Sequence, residues 1–262
     1  DMPKRRIQAD DLNKIVFVAH PQISPDGQLL LFNKKVPNDK NKTIGHLFTV
    51  DADRNERQWT QGEKGAGGGR WSPDGKSILF VAGRDKPGAQ FYLIPTDGGE
   101  ARKLSSLSEG SIGGYKWSPN GKLIAFSFRE THPDWTEQAK KEREENGLST
   151  PPREIDHAWY RLDGDGYFCN QRYALFVLDA ASGEHRKVYE EPTTGFFSFD
   201  WSPGSDELVV SHTVNKNPWA DKPNDQIFRV SLDGQAWKLE GLPKGEKGGL
   251  SWSPDGKWIA YL

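Results

Sequence analysis

An all-β fold, a β-propeller of four-stranded blades, is predicted by three features of this 262-residue sequence. A Ser-Pro-Asp-Gly turn recurs five times, as ISPDG at 23–27, WSPDG at 71–75, WSPNG at 117–121, WSPG at 201–204 and WSPDG at 252–256. An apolar strand follows every copy. The turn serines, Ser24, Ser72, Ser118, Ser202 and Ser253, lie 48, 46, 84 and 51 residues apart. Periods of about 40–50 residues with a strand-and-turn signature mark propeller blades.

Each repeat can be followed in order. In the turn, proline presets φ, Asp or Asn bonds the nearby backbone, and Gly accepts a positive φ. The strand that follows reads LLLF at 29–32, SILFV at 77–81, LIAFSF at 123–128, ELVVS at 207–211 and WIAYL at 258–262. A second strand comes next in four repeats: HLFTVD at 46–51, QFYLIP at 90–95, YALFVLD at 173–179 and QIFRVSL at 226–232. Turns at Asp97-Gly98-Gly99, Ser182-Gly183 and Asp233-Gly234 then lead to outer strands such as EARKL at 100–104 and HRKVY at 185–189. Before the turn, GAGGGRW, SIGGYKW and KGGLSW are glycine-rich, as suits innermost strands crowded around an axis. Residues 1–262 therefore hold four blades and half of a fifth, an incomplete propeller. Trp71, Trp117, Trp201 and Trp252 are expected at equivalent places near the blade interfaces. A propeller ring closes to hide its edges. The sequence stops inside a fifth blade, so it reads as part of a longer polypeptide. Its raw sheet edges await another segment or drive self-association.

Composition narrows the function. With 35 basic and 37 acidic residues, a formal charge of −2 carries no polyelectrolyte signal for nucleic acid. No apolar run approaches the roughly 20 residues needed to span a bilayer, so no membrane partner is expected. No apolar signal core follows Asp1, and any leader is expected to have been removed. The mean hydropathy of −0.78 would suit a disordered chain, but 10 Trp, 13 Phe and 7 Tyr at regular intervals require a packed core. Cys169 alone excludes an internal disulfide framework. The compartment stays open between cytoplasm and periplasm or secretion, and so does oligomerisation.

The long interval contains an insertion of about 43 residues, Arg129 to Gln171, between the second and third strands of blade three. TEQAKKEREENG at 136–147 reads as a helix with Thr136 as N-cap and Asn146-Gly147 as its stop. After Pro151-Pro152, segments 153–162 and 166–173 flank Asp163-Gly164-Asp165-Gly166 as a hairpin. Strands alternate in direction, so this insertion should share one face with loops Lys35–Gly45 and Thr213–Asn224, opposite the Ser-Pro-Asp-Gly turns. Long loops on a rigid scaffold are where binding concentrates.

Catalytic machinery is missing from this stretch. There is no Gly-x-Ser-x-Gly elbow, and no catalytic residue is assigned. His20, His46, His132, His157, His185 and His212 have no metal-ligand spacing, so no metal or cofactor is expected. A calcium loop starting at Asp163 would lack its closing glutamate, because position twelve is Ala174. Gly67-Gly68-Gly69 follows no strand-to-helix pattern for phosphate. Glu142, Glu144 and Glu145 could hold an amino terminus, but alternating charges more often mark a solvated helix face. Arg153, Arg161 and Arg172 lie in or beside the hairpin with Trp159, Tyr160 and Tyr167. Guanidinium groups pair with carboxylates and carbonyls, and aromatic rings line apolar pockets. Arg161, Arg172, Trp159, Tyr160 and Tyr167 are the candidate substrate contacts.

Asp10-Asp11-Leu12 ahead of HPQISPDG, the WSPDGK repeats with D-x-G-G-E-x-R-x-L endings, and YRLDGDGYF at 160–168 resemble the propeller half of the prolyl oligopeptidase family. The resemblance is to its acylaminoacyl-peptidase-like branch, with the bacterial dipeptidyl- and carboxypeptidase-like members. It implies a C-terminal α/β-hydrolase domain with a Ser-Asp-His triad over one propeller face. The propeller would filter peptides by size and supply part of the substrate pocket. No triad residue has a counterpart here. The expected function is substrate gating and binding for a serine peptidase acting on short peptides, with the rest of its own polypeptide as partner. The alternative is a non-enzymatic Tol-type interaction propeller, because such proteins share the turn repeat.

Overall fold

A computed structural model of the chain describes residues 5–37, 42–191 and 193–262. It divides into two compact units, one of Asp1–Asp85 with Gln90–Leu104, the other of Lys86–Ala89 with Ser105–Leu262.

The first unit contains two antiparallel four-stranded sheets in sequence order. One runs β1 (Phe17–Ile23), β2 (Leu30–Pro37), β3 (Thr43–Val50), β4 (Glu56–Gln58); the next runs β5 (Gly67–Trp71), β6 (Ser77–Ala82), β7 (Gln90–Pro95), β8 (Arg102–Lys103). The second unit begins with β9 (Gly110–Trp117) and β10 (Leu123–Glu130). There the insertion leaves, carrying helix α1 (Glu137–Glu145) and the short pair β11 (Arg161–Leu162) and β12 (Gly166–Tyr167). Strands β13 (Ala174–Asp179) and β14 (His185–Glu190) complete that sheet. A further sheet runs β15 (Ser198–Trp201), β16 (Glu207–Thr213), β17 (Asp225–Ser231), β18 (Ala236–Lys238), and β19 (Ser251–Trp252) pairs with β20 (Ile259–Ala260). Four sheets of four strands and two pairs, one of them in the insertion, are present among the described residues, an all-β propeller fold.

The serine is the hub of every turn. Ser72 Oγ donates to Asp74 Oδ1 at 2.6 Å, and Ser77 N donates back to Ser72 Oγ at 3.0 Å. Ser24, Ser118 and Ser253 repeat this geometry with Asp26, Asn120 and Asp255. The serine hydroxyl and a backbone N–H hold the Asp26, Asp74 and Asp255 carboxyls below the usual range. In the WSPG copy the residues are permuted. Ser205 takes the left-handed position at φ 63°, and Asp206 Oδ1 receives the Ser202 hydroxyl at 2.7 Å.

Each unit has its own apolar core. In the first, Leu31, Leu47, Trp71, Ile78, Phe80 and Tyr92 interdigitate between the two sheets. In the second, Ala125, Leu175 and Val177 pack on Phe199, Trp201, Leu208 and Val210. Trp71 and Trp201 occupy equivalent positions. Their indole N–H groups donate to the carbonyls of Gln22 (3.3 Å) and Lys116 (3.1 Å), each two residues before the preceding turn serine. The expected equivalence of four tryptophans does not extend further. Trp117 Nε1 is buried without a partner, and Trp252 Nε1 bonds Gly256 O of its own turn at 3.2 Å. The reason at Trp252 is local: its turn carbonyl is in reach of an indole that is only partly buried. At Gly69 of the inner strand β5 the neighbouring sheet leaves no room for a side chain. A Cβ on Gly69 would lie 2.8 Å from Leu47 Cδ2 and 3.0 Å from Leu31 Cδ2, side chains of the neighbouring sheet.

Blade one shows the converse. Ile23 holds the position of Trp71 in the repeat yet is 66% exposed, against 5% for Trp71. Phe17 and Val18 on the same strand are exposed as well.

Candidate functional site

The insertion folds as its sequence suggests at its start. Thr136 Oγ1 accepts from Ala139 N at 3.2 Å as N-cap of α1. At the other end Gly147 turns left-handed (φ 64°) and Leu148 N reaches Arg143 O at 2.9 Å, closing a Schellman motif. No residue of α1 is buried. Glu144 and Glu145 face Lys140 and Lys141 at i,i+4 spacing, a solvated face.

What holds the rest is arginine. Arg129, at the end of the buried strand β10, is itself only 7% exposed. Its Nη2 donates to both oxygens of Asp165 at 2.7 and 2.8 Å. Its guanidinium carbon lies 4.7 Å from the Phe168 ring centre and 4.8 Å from that of Tyr173. This pair fastens the turn between β11 and β12 to the blade. Arg172 fastens the other end: Nε donates to Thr193 O (3.0 Å), Nη1 to Cys169 O (2.6 Å) and Gln171 O (3.0 Å), and Nη2 to Trp159 O (2.9 Å). Four of its five N–H groups are thereby committed. Burial lowers its pKa, a shift opposed by Asp156 and Glu191.

Glu191 completes the anchor. It is 2% exposed, and its carboxylate accepts from Thr193 N (2.5 Å), Thr194 N (2.8 Å) and Gly195 N (2.9 Å). Burial pushes its pKa up, but these hydrogen bonds outweigh burial and hold it below the usual carboxylate range. Gly195 is required there: φ is 72°, and a Cβ would stand 2.6 Å from Tyr173 N.

Two cavities flank this segment. The first, about 580 Å³, is lined by Arg129, Trp135, Arg153, Asp165, Tyr167 and Phe168 among others. Arg153 stacks 3.7 Å from the Trp135 ring centre and 4.8 Å from that of Tyr167. The second, about 430 Å³, is bordered by Trp159, Phe196, Trp219, His212, Asp225 and Glu246 among others. The 213–224 loop and the insertion thus border one cavity. The Lys35–Gly45 loop belongs to the other unit, and its residues 38–41 lie outside the described residues.

The five candidate contacts gather around the hairpin. Arg161 lies 5.3 Å over the Tyr167 ring, Tyr160 packs on Tyr167 at 5.9 Å, and Trp159 meets Phe168 and Phe196. Arg161 is half-exposed, and its one ionic neighbour among the described residues is Asp163 at 3.8 Å. Tyr167 lines the first cavity and Trp159 the second. Sequence reasoning missed Arg129, Asp165 and Trp135 as a constellation. The available signal was a charge, Arg129, directly after the strand sequence LIAFSF at 123–128.

His212, read from sequence as a packing or surface residue, stacks on Phe228 at 4.8 Å. Its Nδ1 donates to Thr213 O at 2.7 Å, because a carbonyl can only accept, and Nε2 faces the Tyr189 hydroxyl at 2.8 Å. Burial, then Glu191, pushes the Tyr189 pKa up to about 12.

No family model matches the chain. An uncharacterized peptidase of Bacillus subtilis, YuxL, is 30% identical over 230 residues, covering 85% of this chain and 33% of the relative. Among solved structures, an acylaminoacyl peptidase from Pyrococcus horikoshii superposes with TM-score 0.66 at 19% identity, over 88% of this chain and 33% of that one. The propeller domain of the trilobed protease from Pyrococcus furiosus superposes with TM-score 0.56 at 16% identity, over 89% and 59%. A structure described as a TolB from Agrobacterium tumefaciens reaches 0.54 at 18% identity, over 94% and 69%. The chain spans one third of the length of the Bacillus peptidase it matches. The chain is thus related in sequence to one third of a bacterial peptidase and shares the fold of the β-propeller domain of the trilobed protease.

Proposed function

We propose that this chain is the substrate-gating and substrate-binding propeller of a serine peptidase that cleaves short peptides. The observation that carries the reading is the first cavity, built on the insertion with a buried guanidinium and three aromatic rings in its wall. A peptide needs both features: its carbonyls and carboxylate accept from guanidinium groups, and its side chains pack on rings. Tyr167 contacts the substrate from the wall of that cavity, Arg161 and Tyr160 reach it from beside the Tyr167 ring, and Trp159 meets it from the neighbouring cavity. Arg172 contributes its remaining N–H and holds the carbonyls of Trp159, Cys169 and Gln171 in place.

The chemistry belongs to another part of the same polypeptide, an α/β-hydrolase domain C-terminal to this chain that carries nucleophile, base and oxyanion hole. A further blade of that polypeptide covers Phe17, Val18 and Ile23. The Tol-type reading shares the fold, but relatedness to a peptidase and a peptide-sized cavity favour proteolysis.

The test uses the full-length polypeptide. It should hydrolyse short peptide nitroanilides, and replacing the serine of a Gly-x-Ser-x-Gly motif downstream of residue 262 should abolish the activity. A full-length protein without such a motif, or inert toward every short peptide, overturns the reading.

A further inference from the structure

The second cavity has a chemistry of its own. Its rim carries Phe196 and Trp219, large rings left 43% and 47% exposed, with Trp159 set perpendicular to Phe196 at 5.6 Å. Trp219 is held there by a built loop. Val214 N bonds Asn224 O (3.1 Å), Asn215 Nδ2 bonds Lys222 O (2.8 Å), and a turn closes from Ala220 N to Asn217 O (2.9 Å).

The same lining includes two carboxylates, Asp225 and Glu246, neither in an ion pair among the described residues. The cation in the lining, Lys247, is 2% exposed and directs its ammonium to the carbonyls of Asp225 (2.8 Å) and Gly245 (3.2 Å). Asp225 Oδ2 accepts from Lys247 N at 3.0 Å. Two carboxylates against one ammonium leave the lining one negative charge in excess. Aromatic faces present the negative side of the ring quadrupole. Rings and carboxylates therefore select the same partner, an organic cation, and disfavour an anion.

We propose that this cavity binds a basic side chain, the guanidinium or ammonium group of an arginine or lysine residue, in the peptide that occupies the neighbouring site. The proposal rests on the peptide-binding reading above and adds a preference for basic residues.

Calorimetric titration of the full chain with N-acetyl-arginine amide and its neutral counterpart N-acetyl-norleucine amide tests it. The arginine probe should bind about tenfold more tightly, the scale of a cation over aromatic rings backed by carboxylates. Trp219→Ala and Glu246→Gln each act on an exposed side chain and should weaken the arginine probe several-fold. Trp237→Ala, which removes an exposed ring outside the cavity, should leave it unchanged. Equal binding of the two probes, absence of binding, or arginine binding indifferent to Trp219→Ala and Glu246→Gln would overturn the proposal. The peptidase reading fails separately. A full-length protein that cleaves no peptide but shows the arginine pattern retains the pocket, and cleavage without the pattern eliminates it.

Discussion

The interface between the third and fourth blades and the insertion that leaves the third blade are held together by opposite means. At the interface, Leu175, Val177, Trp201, Leu208 and Val210 are between 0 and 3% exposed, and the stabilising force is burial of apolar surface. The insertion has a helix without a buried residue and a hairpin of two paired positions. Arg129, Arg172 and Arg153 take the place of a core, bonding a carboxylate, four carbonyls and a pair of rings. A repeat built on burial is rigid and tolerant of surface change. A loop built on a few charge-assisted bonds depends on single residues, and it can present polar groups to a ligand.

The largest expected effect breaks the burial side of this contrast. Trp201→Ala should destabilise the chain by about 3–5 kcal/mol, the range for truncating a buried aromatic, read as a shifted denaturant midpoint. A loss below about 1 kcal/mol would mean that the tryptophan is not central to the interface. Arg172→Ala comes next, with a loss of about 1.5–3 kcal/mol expected for bonds from a charged donor. Arg172→Lys should not restore it, because an ammonium cannot reproduce the planar fork. Hydrogen exchange should place the damage at 159–195 and spare the sheets; uniform loss across the blades would contradict the local role.

Glu191 sharpens the comparison through pH. Its folded pKa is depressed, so its contribution is complete above the unfolded value of about 4.3. It is lost as pH falls through the folded value, where the unfolded chain binds the extra proton first. Glu191→Gln should therefore flatten the acid limb of stability below the unfolded value. An acid limb identical to wild type would show that the carboxylate–turn bonds carry no linkage.

The same contrast explains what the sequence reveals. The turn serines, the strands after them and the Thr136 cap are local signals with a fixed spacing, and they translate directly into sheets and helix. The permuted WSPG copy still forms its turn, because Asp206 reaches the same hydroxyl from two positions later. Site geometry is not local. Arg129 meets Asp165 across 36 residues, and no periodicity marks such a pair. Arg161 and Arg172 look alike in sequence, yet one stands half-exposed over Tyr167 and the other has four N–H groups on the backbone. What separates them is the convergence of the Trp159, Cys169, Gln171 and Thr193 carbonyls on Arg172, which no local pattern announces.

Arg161→Ala is expected to have the smallest effect on stability, within about 0.5 kcal/mol, as for other exposed substitutions. It is also the substitution that bears most on function. The measurement that tests the central claim is the steady-state kinetics of Arg161→Ala in the full-length protein on a panel of free and end-blocked short peptides. Loss of an arginine contact to a bound peptide predicts a fall in kcat/KM of about tenfold or more, with an unchanged melting temperature. Wild-type kinetics across the whole panel would contradict it and reduce the hairpin to a structural insertion.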